Sequence, residues 1–164
     1  MVSPAERRVV LYLMPETRRF ISENRGGKLA DPQTYHVGEA FTPMAVEAFQ
    51  RAFSEFIFME SEPTPEILKR YAIPCVAAVA IERLQNRVTL KGQALVLESR
   101  VELYADDGTF LAGFEVEGAS EARKVFGRRG GPQVNLNAAI ENNLRATALF
   151  LQDVLAHPPA KKTP

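Results

Sequence analysis

Hydrophobic and polar positions change their spacing several times along the chain, and each change predicts an element. Residues 8–13, RVVLYL, form a continuous aliphatic and β-branched run, which is typical of a buried central strand, and Pro15 ends it. Residues 16–33 are rich in charge and glycine, which predicts a loop with one extended segment around Phe20. A short strand with polar edges follows at residues 34–37. The first third of the chain therefore predicts one buried strand and a long irregular region.

Residues 42–54 carry the spacing of an amphipathic helix. Thr42 is predicted as the N-cap and Pro43 as the first helical residue, and a short aromatic strand follows at residues 56–59. Apolar residues recur at intervals of three and four, which gives one face that packs on a sheet: Ala45, Val46, Phe49, Ala52, Phe53 and Phe56. Gly38 precedes this helix as a single glycine without the spacing of a phosphate-binding loop. We therefore expect Gly38 to supply a backbone angle, with a bound ligand as the alternative.

The middle of the chain is predicted to be mostly β. Thr64 and Pro65 begin a short helix that ends before Pro74. Three strands then follow at residues 76–84, 88–104 and 109–123, and the Asp-Gly turn at residues 105–108 joins the last two as a hairpin. Alternation along residues 95–103 predicts one solvated and one buried face, with a bulge near Ser99. The solvated face holds Val96, Glu98, Arg100 and Glu102, and the buried face holds Leu95, Leu97, Val101 and Leu103.

The last periodic segment is a helix at residues 137–156, capped by Asn135 or Asn137. Together the elements predict an α/β (α+β) two-layer fold, in which two main helices pack on one mixed, largely antiparallel sheet. We expect a flexible N-terminus at residues 1–7, a single domain at residues 8–156, and a disordered tail at residues 157–164.

Composition excludes several classes of protein. The 164 residues are 46% hydrophobic and 24% charged, which is the balance of a folded domain. Because the 20 basic residues equal the 20 acidic ones, no bulk charge favours nucleic acid, and we expect no nucleic-acid partner. The lone Cys75 follows Pro74 at the start of an apolar run, which favours a buried, inert thiol over a nucleophile.

The sequence offers little catalytic chemistry. The two histidines, His36 and His157, cannot by themselves form a triad or a multi-histidine metal site. Asp106 and Asp107 are a carboxylate pair, but their place in a hairpin turn favours backbone hydrogen bonding over acid–base work. We therefore expect no enzyme activity, no catalytic or metal-binding residues, and no cofactor.

Two basic segments are candidate interaction sites. Each is interpreted either as a solvated loop or as a surface that meets lipid head groups, an acidic polysaccharide or an acidic protein. Phe126 beside the second segment is either an exposed anchor or a buried residue. The candidate interaction residues are Arg18, Arg19, Arg25, Phe126, Arg128 and Arg129.

The order of elements and three segments carry a family resemblance. These segments are YHVGEAFTPMAVEAFQRAF, VELYADDGTFLAGFEVEG and LNAAIENNLRATALFLQDVL. Over residues 8–156 the chain resembles bacterial envelope lipoproteins of the YajG, PelC and CsgG type, whose core is similar to the TolB amino-terminal domain. The chain departs from them in having no lipobox cysteine and no tryptophan, and Met1 to Pro4 do not begin a signal peptide.

The resemblance implies a function. It implies a non-catalytic periplasmic scaffold or accessory subunit of an envelope assembly or export machine, associated with the outer membrane through a lipid anchor that this chain does not show. Its partners would be envelope proteins or further copies of itself, including ring formation. The alternative from another class is a small-ligand-binding or enzymatic α+β domain with a pocket between helix and sheet.

Overall fold

A computed structural model describes residues 5–24, 33–121 and 131–157. Within these ranges, none of the helices has the length and apolarity needed to cross a bilayer. The elements in chain order are β1 (Ala5–Leu13), α1 (Pro15–Arg18), β2 (Ser22–Asn24), β3 (Gln33–Tyr35), α2 (Val37–Ala52), β4 (Phe53–Met59), α3 (Pro65–Arg70), β5 (Cys75–Thr89), β6 (Gly92–Ala105), β7 (Phe110–Ala119) and α4 (Gly131–Ala156).

The main sheet has five strands in the order β4-β1-β5-β6-β7. Strand β1 runs parallel to both β4 and β5, whereas β5 with β6 and β6 with β7 are antiparallel pairs. Strands β2 and β3 form a separate antiparallel pair. The predicted α+β fold with a mixed sheet and two main helices is confirmed, with α1 and α3 as two further short helices.

Helices α2 and α4 cover one face of the sheet. Phe41 and Phe49 of α2 and Leu151 of α4 are fully buried against Leu11 of β1 and Leu97 of β6. The residues predicted to line the dry face of β6, Leu95, Leu97, Val101 and Leu103, are all buried. Cys75 lies on the same face of the sheet and is buried, as predicted. The hydrophobic core therefore occupies the layer between these two helices and the sheet.

Two glycines allow backbones to approach closely. A Cβ atom on Gly38 would lie 2.3 Å from the carbonyl oxygen of Arg18, and one on Gly118 would lie 2.2 Å from the amide nitrogen of Asn143. Gly38 is not among the described glycines with positive φ, so the prediction that it supplies a special backbone angle is wrong. Its role is contact between α2 and α1, whose carbonyl oxygens a side chain would strike.

Both main helices begin earlier than predicted. Helix α2 starts at Val37, so Thr42 is not its N-cap and Pro43 lies inside the helix. The hydroxyl of Thr42 donates to the carbonyl of Gly38 at 2.8 Å, one turn back. Pro43 has no amide hydrogen to donate to the carbonyl of Glu39, one turn back, and Glu39 is an exposed residue. Helix α4 starts at Gly131, so Asn135 and Asn137 are interior residues and neither caps it.

The segment predicted as one strand at residues 88–104 is divided by a turn. Strand β5 continues to Thr89 and β6 begins at Gly92, whose φ of 129° reverses the chain. The hairpin predicted at residues 105–108 is confirmed, with Gly108 at φ 86° and the Asp107 carboxylate accepting from the Thr109 amide at 2.9 Å. The predicted irregularity lies opposite Ser99, where the register of β5 shifts between Ile81 and Arg83.

Candidate functional site

A concavity among the described residues lies on the face of the sheet that α2 and α4 do not cover. We call this groove, of about 490 Å³, the open-face groove. Its floor is formed by outward-facing residues of β5: Val76, Ala78 and Ala80. A volume of this size is within the range of binding sites in proteins. The groove is therefore the candidate functional site.

The groove exists because small side chains lie between two rows of long ones. Tyr12 of β1 and Met14, the residue after β1, stand on one side of the alanines, and Arg100, Glu102 and Tyr104 of β6 stand on the other. Ala78 pairs with Tyr12 on β1 and with Glu102 on β6, so the three lie side by side across the sheet. Because neighbouring strands are about 4.8 Å apart, the two rows are separated by roughly 10 Å.

Helix α3 borders the β1 side of the groove through Pro65 and Leu68. The hydroxyl of Thr64 accepts from the Ile67 amide, which confirms the predicted cap. At the C-terminal end of α3, Ala72 adopts φ 53°. The main-chain amides of Ala72 and Ile73 donate to the carbonyls of Lys69 and Leu68, respectively. This is the Schellman pattern, and it directs Ile73 back onto Leu68.

A second, smaller hydrophobic cluster fixes α3 to the sheet. Leu68 and Ile73 pack on Val10 of β1 and Val76 of β5, with Tyr12 and Met59 beside them. Arg8 of β1 donates to the Tyr71 carbonyl at 2.9 Å and also contacts the Glu55 carboxylate. The wall of the groove is therefore held by apolar packing and by hydrogen bonds to the end of α3.

The opposite wall carries a connected set of polar groups. The Nε of Arg100 donates to Oε1 of Glu102 at 2.8 Å, and the hydroxyl of Tyr104 donates to Oε2 of the same carboxylate. The hydrogen bond from Tyr104, followed by that from Arg100, lowers the pKa of Glu102 below its ordinary value, whereas the Glu102 carboxylate raises the pKa of Tyr104. The edge of the Phe110 ring meets the Tyr104 ring with centroids 5.8 Å apart. Glu102 is thus held ionised, and its two neighbours are held in place.

Negative charge exceeds positive charge around the groove. Glu62 lines the groove, and Glu82 and Glu115 are close enough to Arg100 to raise the pKa of its guanidinium, after the larger contribution of Glu102. These three carboxylates are exposed, whereas the one cation among the lining residues, Arg100, is already bonded to Glu102. The groove thus combines an apolar floor with a rim that attracts cations.

A second hollow of about 170 Å³ lies where β2 and β3 meet the β5–β6 hairpin. Glu23, Tyr35 and Asn86 are among its lining residues. The hydroxyl of Tyr35 donates to Gln33 at 2.7 Å, and burial raises the pKa of this hydroxyl. Within the described residues the buried Oδ1 of Asn86 has no hydrogen-bond partner. No three His, Cys, Asp or Glu side chains in these ranges are grouped as metal ligands.

The predicted interaction residues are not brought together at the groove. Arg18 donates to the carbonyls of Leu13 and Glu60 at 3.3 and 3.2 Å, and its Nη1 lies 3.7 Å from the Glu60 carboxylate. Arg18 therefore connects α1 to the carboxyl-terminal ends of strands β1 and β4. Arg19 is exposed at the end of α1. The remaining predicted residues, Arg25, Phe126, Arg128 and Arg129, lie outside the described residues, and their role stays a prediction.

Sequence reasoning missed the groove residues. The alternation of β6 placed Val96, Glu98, Arg100 and Glu102 on a solvated face. This is confirmed for the three charged residues, whereas Val96 is buried. Ala78 and Ala80 are two positions apart, so in a strand they face the same side of the sheet. Two such small side chains in a row indicate a gap on that face. The gap becomes a groove only because the strand order sets β5 between β1 and β6.

Comparisons with known proteins show the fold. No protein-family model matches the chain, and no curated protein matches it. The hypothetical protein CT253 from Chlamydia trachomatis is similar at a TM-score of 0.56 and 8% identity, covering 90% of this chain and 96% of that one. The protein XCC0632 from Xanthomonas campestris, of the family DUF330, is similar at a TM-score of 0.52 and 14% identity, covering 92% and 88%.

Bacterial lipoproteins are also found among the similar structures. A minor lipoprotein from Acinetobacter baumannii has a TM-score of 0.47 and 9% identity, with 99% of this chain and 100% of that one covered. At identities this low, the likeness of CT253 and XCC0632 shows a shared fold only. The chain therefore has a fold that two bacterial proteins of known structure share.

Proposed function

We propose that this protein is a non-catalytic scaffold or accessory subunit of a bacterial envelope assembly. It acts through contacts with other envelope proteins or with copies of itself, in the periplasm and close to the outer membrane. The observation that carries the proposal is the uneven covering of the sheet. Helices α2 and α4 bury one face, whereas in the described residues only the short α3 packs on the other. A sheet face left open in this way is available to a partner.

The edges of the sheet add a second kind of contact surface. Strand β7 extends over Phe110–Ala119 and, among the described residues, pairs with β6 alone. Every second residue of its central part is exposed, namely Gly113, Glu115 and Glu117. Phe110, at its start, is about half exposed. A partner strand can pair with such an edge through main-chain hydrogen bonds, while the carboxylates oppose indiscriminate association.

The turn between β5 and β6 offers a third surface. Val88 and Leu90 at this turn are among the most exposed apolar side chains of the described residues, at 73% and 104% relative exposure. Apolar side chains at the tip of a hairpin are suited to insertion into a partner's surface. The protein thus presents an open face, a strand edge and an apolar tip.

The envelope location rests on the resemblance of three sequence segments to lipoproteins of the YajG, PelC and CsgG type. The fold is compatible with that resemblance because α2 and α4 lie on one mixed sheet. The lipid anchor, ring formation, a role in export and the detailed likeness to the TolB amino-terminal domain belong to this proposal.

Location and partnership are tested in the native cell. The protein is expressed from its own gene with an added C-terminal epitope, the cells are fed an alkyne-labelled fatty acid, and the fractions are separated. The proposal predicts a lipid-labelled protein in the outer-membrane fraction that is recovered with another envelope protein or as a homo-oligomer. An unlabelled protein confined to the cytosolic fraction would contradict it.

A small-ligand-binding or enzymatic domain is the second candidate function. The specific observation in its favour is the open-face groove of about 490 Å³, with Arg100, Glu102 and Tyr104 on one wall. A metabolite panel in a thermal-shift assay tests it, because a ligand at 100 times its Kd stabilises a protein by about 2.7 kcal/mol. A metabolite that raises Tm in the wild type and not in Ala78→Ile, which fills the groove, would favour this candidate.

A further inference from the structure

The open-face groove has the shape of an extended chain. Its floor follows β5 from Val76 to Ala80, a rise of about 13 Å at 3.3 Å per residue. The side walls are roughly 10 Å apart before their own side chains take up space. An α-helix with its side chains is about 10–12 Å in diameter and does not enter, whereas a single extended strand does.

The floor and one side of the groove are apolar. Val76, Ala78 and Ala80 form the floor, and Leu68 of α3 and Met14 after β1 line the β1 side. In an extended chain every second side chain points to the same side. A strand lying in the groove therefore directs alternate apolar side chains onto the alanines, with the intervening side chains toward the rim.

The rim selects the charge of those intervening side chains. Glu62 lines the groove, Glu82 follows the floor residue Ala80 by two positions on β5, and Glu115 of β7 pairs with Arg100 in the sheet. Arg100 is bonded to Glu102, and Arg83, which lies near Glu82, is bonded to Glu98. The carboxylates of Glu62, Glu82 and Glu115 therefore leave an excess of negative charge that attracts cations. The rings of Tyr12 and Tyr104 flank the floor and can accept a lysine or arginine over their faces.

We propose that the open-face groove binds an extended segment of a partner protein in which apolar residues alternate with lysine or arginine. This inference rests on the proposed function, because the segment belongs to a partner in the same assembly. Face-to-face pairing of two copies of this chain is disfavoured, since two such acidic faces would repel each other.

The binding is tested on the full chain with two capped peptides, KVKVKV and its charge-reversed counterpart EVEVEV. In ¹⁵N-labelled protein, KVKVKV is expected to shift the amides of residues 76–80 and 100–104 in a saturable way, and EVEVEV is not. Raising ionic strength from about 0.05 M to about 0.3 M is expected to weaken KVKVKV binding several-fold. Absence of shifts at these amides, or equal binding of EVEVEV, would overturn the proposal.

Two sets of variants separate the floor from the rim. Ala78→Ile fills the groove with a residue that suits a strand, and we expect at least a tenfold loss of peptide affinity, while Ala156→Ile at the exposed end of α4 leaves affinity unchanged. Glu62→Gln with Glu82→Gln keeps the shape and is expected to weaken binding several-fold, with Glu141→Gln on α4 as the control. Unchanged affinity in the rim double variant would overturn the proposal even where Ala78→Ile lowers stability.

The peptide-binding proposal and the proposed function are tested separately, so each can be contradicted without the other. Binding is measured on purified protein, whereas envelope location and partnership are measured by labelling and fractionation in cells. Vesicles of phosphatidylglycerol serve as a further probe. If the vesicles, and not KVKVKV, shift the groove amides in a way that Ala78→Ile abolishes, the occupant is a lipid and the peptide proposal is overturned.

Discussion

The hydroxyl of Ser99 donates a hydrogen bond to Oδ1 of Asn143 at 3.0 Å across the buried interface between β6 and α4. Both residues are fully buried. The side-chain nitrogen of Asn143, Nδ2, also lies within hydrogen-bond distance of the main-chain carbonyls of Leu97 and Val116. One side chain of α4 thus satisfies groups on two adjacent strands. This contact fixes α4 over β6 and β7, so that the other face of these strands stays open.

Replacing Asn143 is expected to be costly. Asn143→Ala leaves the Ser99 hydroxyl without its acceptor in a buried site, and we expect a loss of about 2–3 kcal/mol in the free energy of unfolding. Urea denaturation measures it. The matched control is Asn142→Ala, one residue earlier on the exposed side, where the amide nitrogen donates to the Ala119 carbonyl at 2.7 Å. Equal losses in the two variants would contradict the assigned role.

The coupling between Ser99 and Asn143 can be isolated. A double-mutant cycle with Ser99→Ala and Asn143→Ala is expected to give an interaction free energy of about 1 kcal/mol, because the two side chains are direct partners. Strictly additive losses would mean that the hydrogen bond does not contribute to stability.

Close backbone approach predicts that two glycines do not tolerate even a methyl group. Gly38→Ala and Gly118→Ala place a Cβ within 2.5 Å of backbone atoms on another element, and each is expected to cost about 2 kcal/mol or more. Thermal unfolding checks this. Gly113→Ala is the control, because its nearest neighbour is the ring of Phe110 at 2.9 Å, which can rotate away. A smaller loss in Gly118→Ala than in Gly113→Ala would show that α4 is not so close to β7.

The end of α3 predicts a stabilising substitution. Ala72 adopts a left-handed conformation that glycine takes without the steric cost of a Cβ atom. Part of that gain is offset because glycine makes the unfolded chain more flexible. We therefore expect Ala72→Gly to raise the free energy of unfolding by about 0.5–1 kcal/mol, as measured by urea denaturation. A loss of stability would place Ala72 outside a Schellman turn.

Acidic pH is expected to weaken the polar wall of the groove. Hydrogen bonds from Tyr104 and Arg100 hold the folded-state pKa of Glu102 below its ordinary value of 4.5. A group with a depressed folded pKa stabilises the fold above the unfolded pKa, and that contribution is lost as pH falls through the folded pKa. Stability measured from neutral pH down through this range should therefore fall less steeply in Glu102→Gln than in the wild type.

A second variant tests the cause of that pKa shift. Tyr104→Phe removes the largest contribution, so it should return the pKa of Glu102 toward its ordinary value, as NMR titration of the side-chain carboxyl would record. An unchanged titration midpoint would show that the Tyr104 hydroxyl does not stabilise the carboxylate.

Local sequence signals predicted some elements well and others poorly, for physical reasons. The helix cap at Thr64 and the Asp-Gly turn that contains Gly108 are determined by residues adjacent in sequence, so they could be predicted. The start of α2 depends on the packing of Gly38 against α1, which no local pattern reveals. In the turn between β5 and β6, Gly92 is preceded by Lys91, so the Asn-Gly or Asp-Gly signal of a tight hairpin is missing.

The candidate site depends still more on tertiary structure. Ala78 and Ala80 make a groove only because Tyr12 and Glu102, distant in sequence, stand on the strands either side of β5. Sequence alone could place Glu102 on a solvated face. It could not indicate which residues stand opposite it.

The most direct test of the central claim is site-specific photocrosslinking in the native cell. A benzophenone amino acid is introduced at Glu82, on the rim of the open face, and at Glu141, on the exposed side of α4 over the other face. We expect position 82 to crosslink to another envelope protein, identified by mass spectrometry together with the attached segment, and position 141 not to. Crosslinks from Glu141 alone, or none from Glu82, would contradict the claim that the open face of the sheet meets the partner.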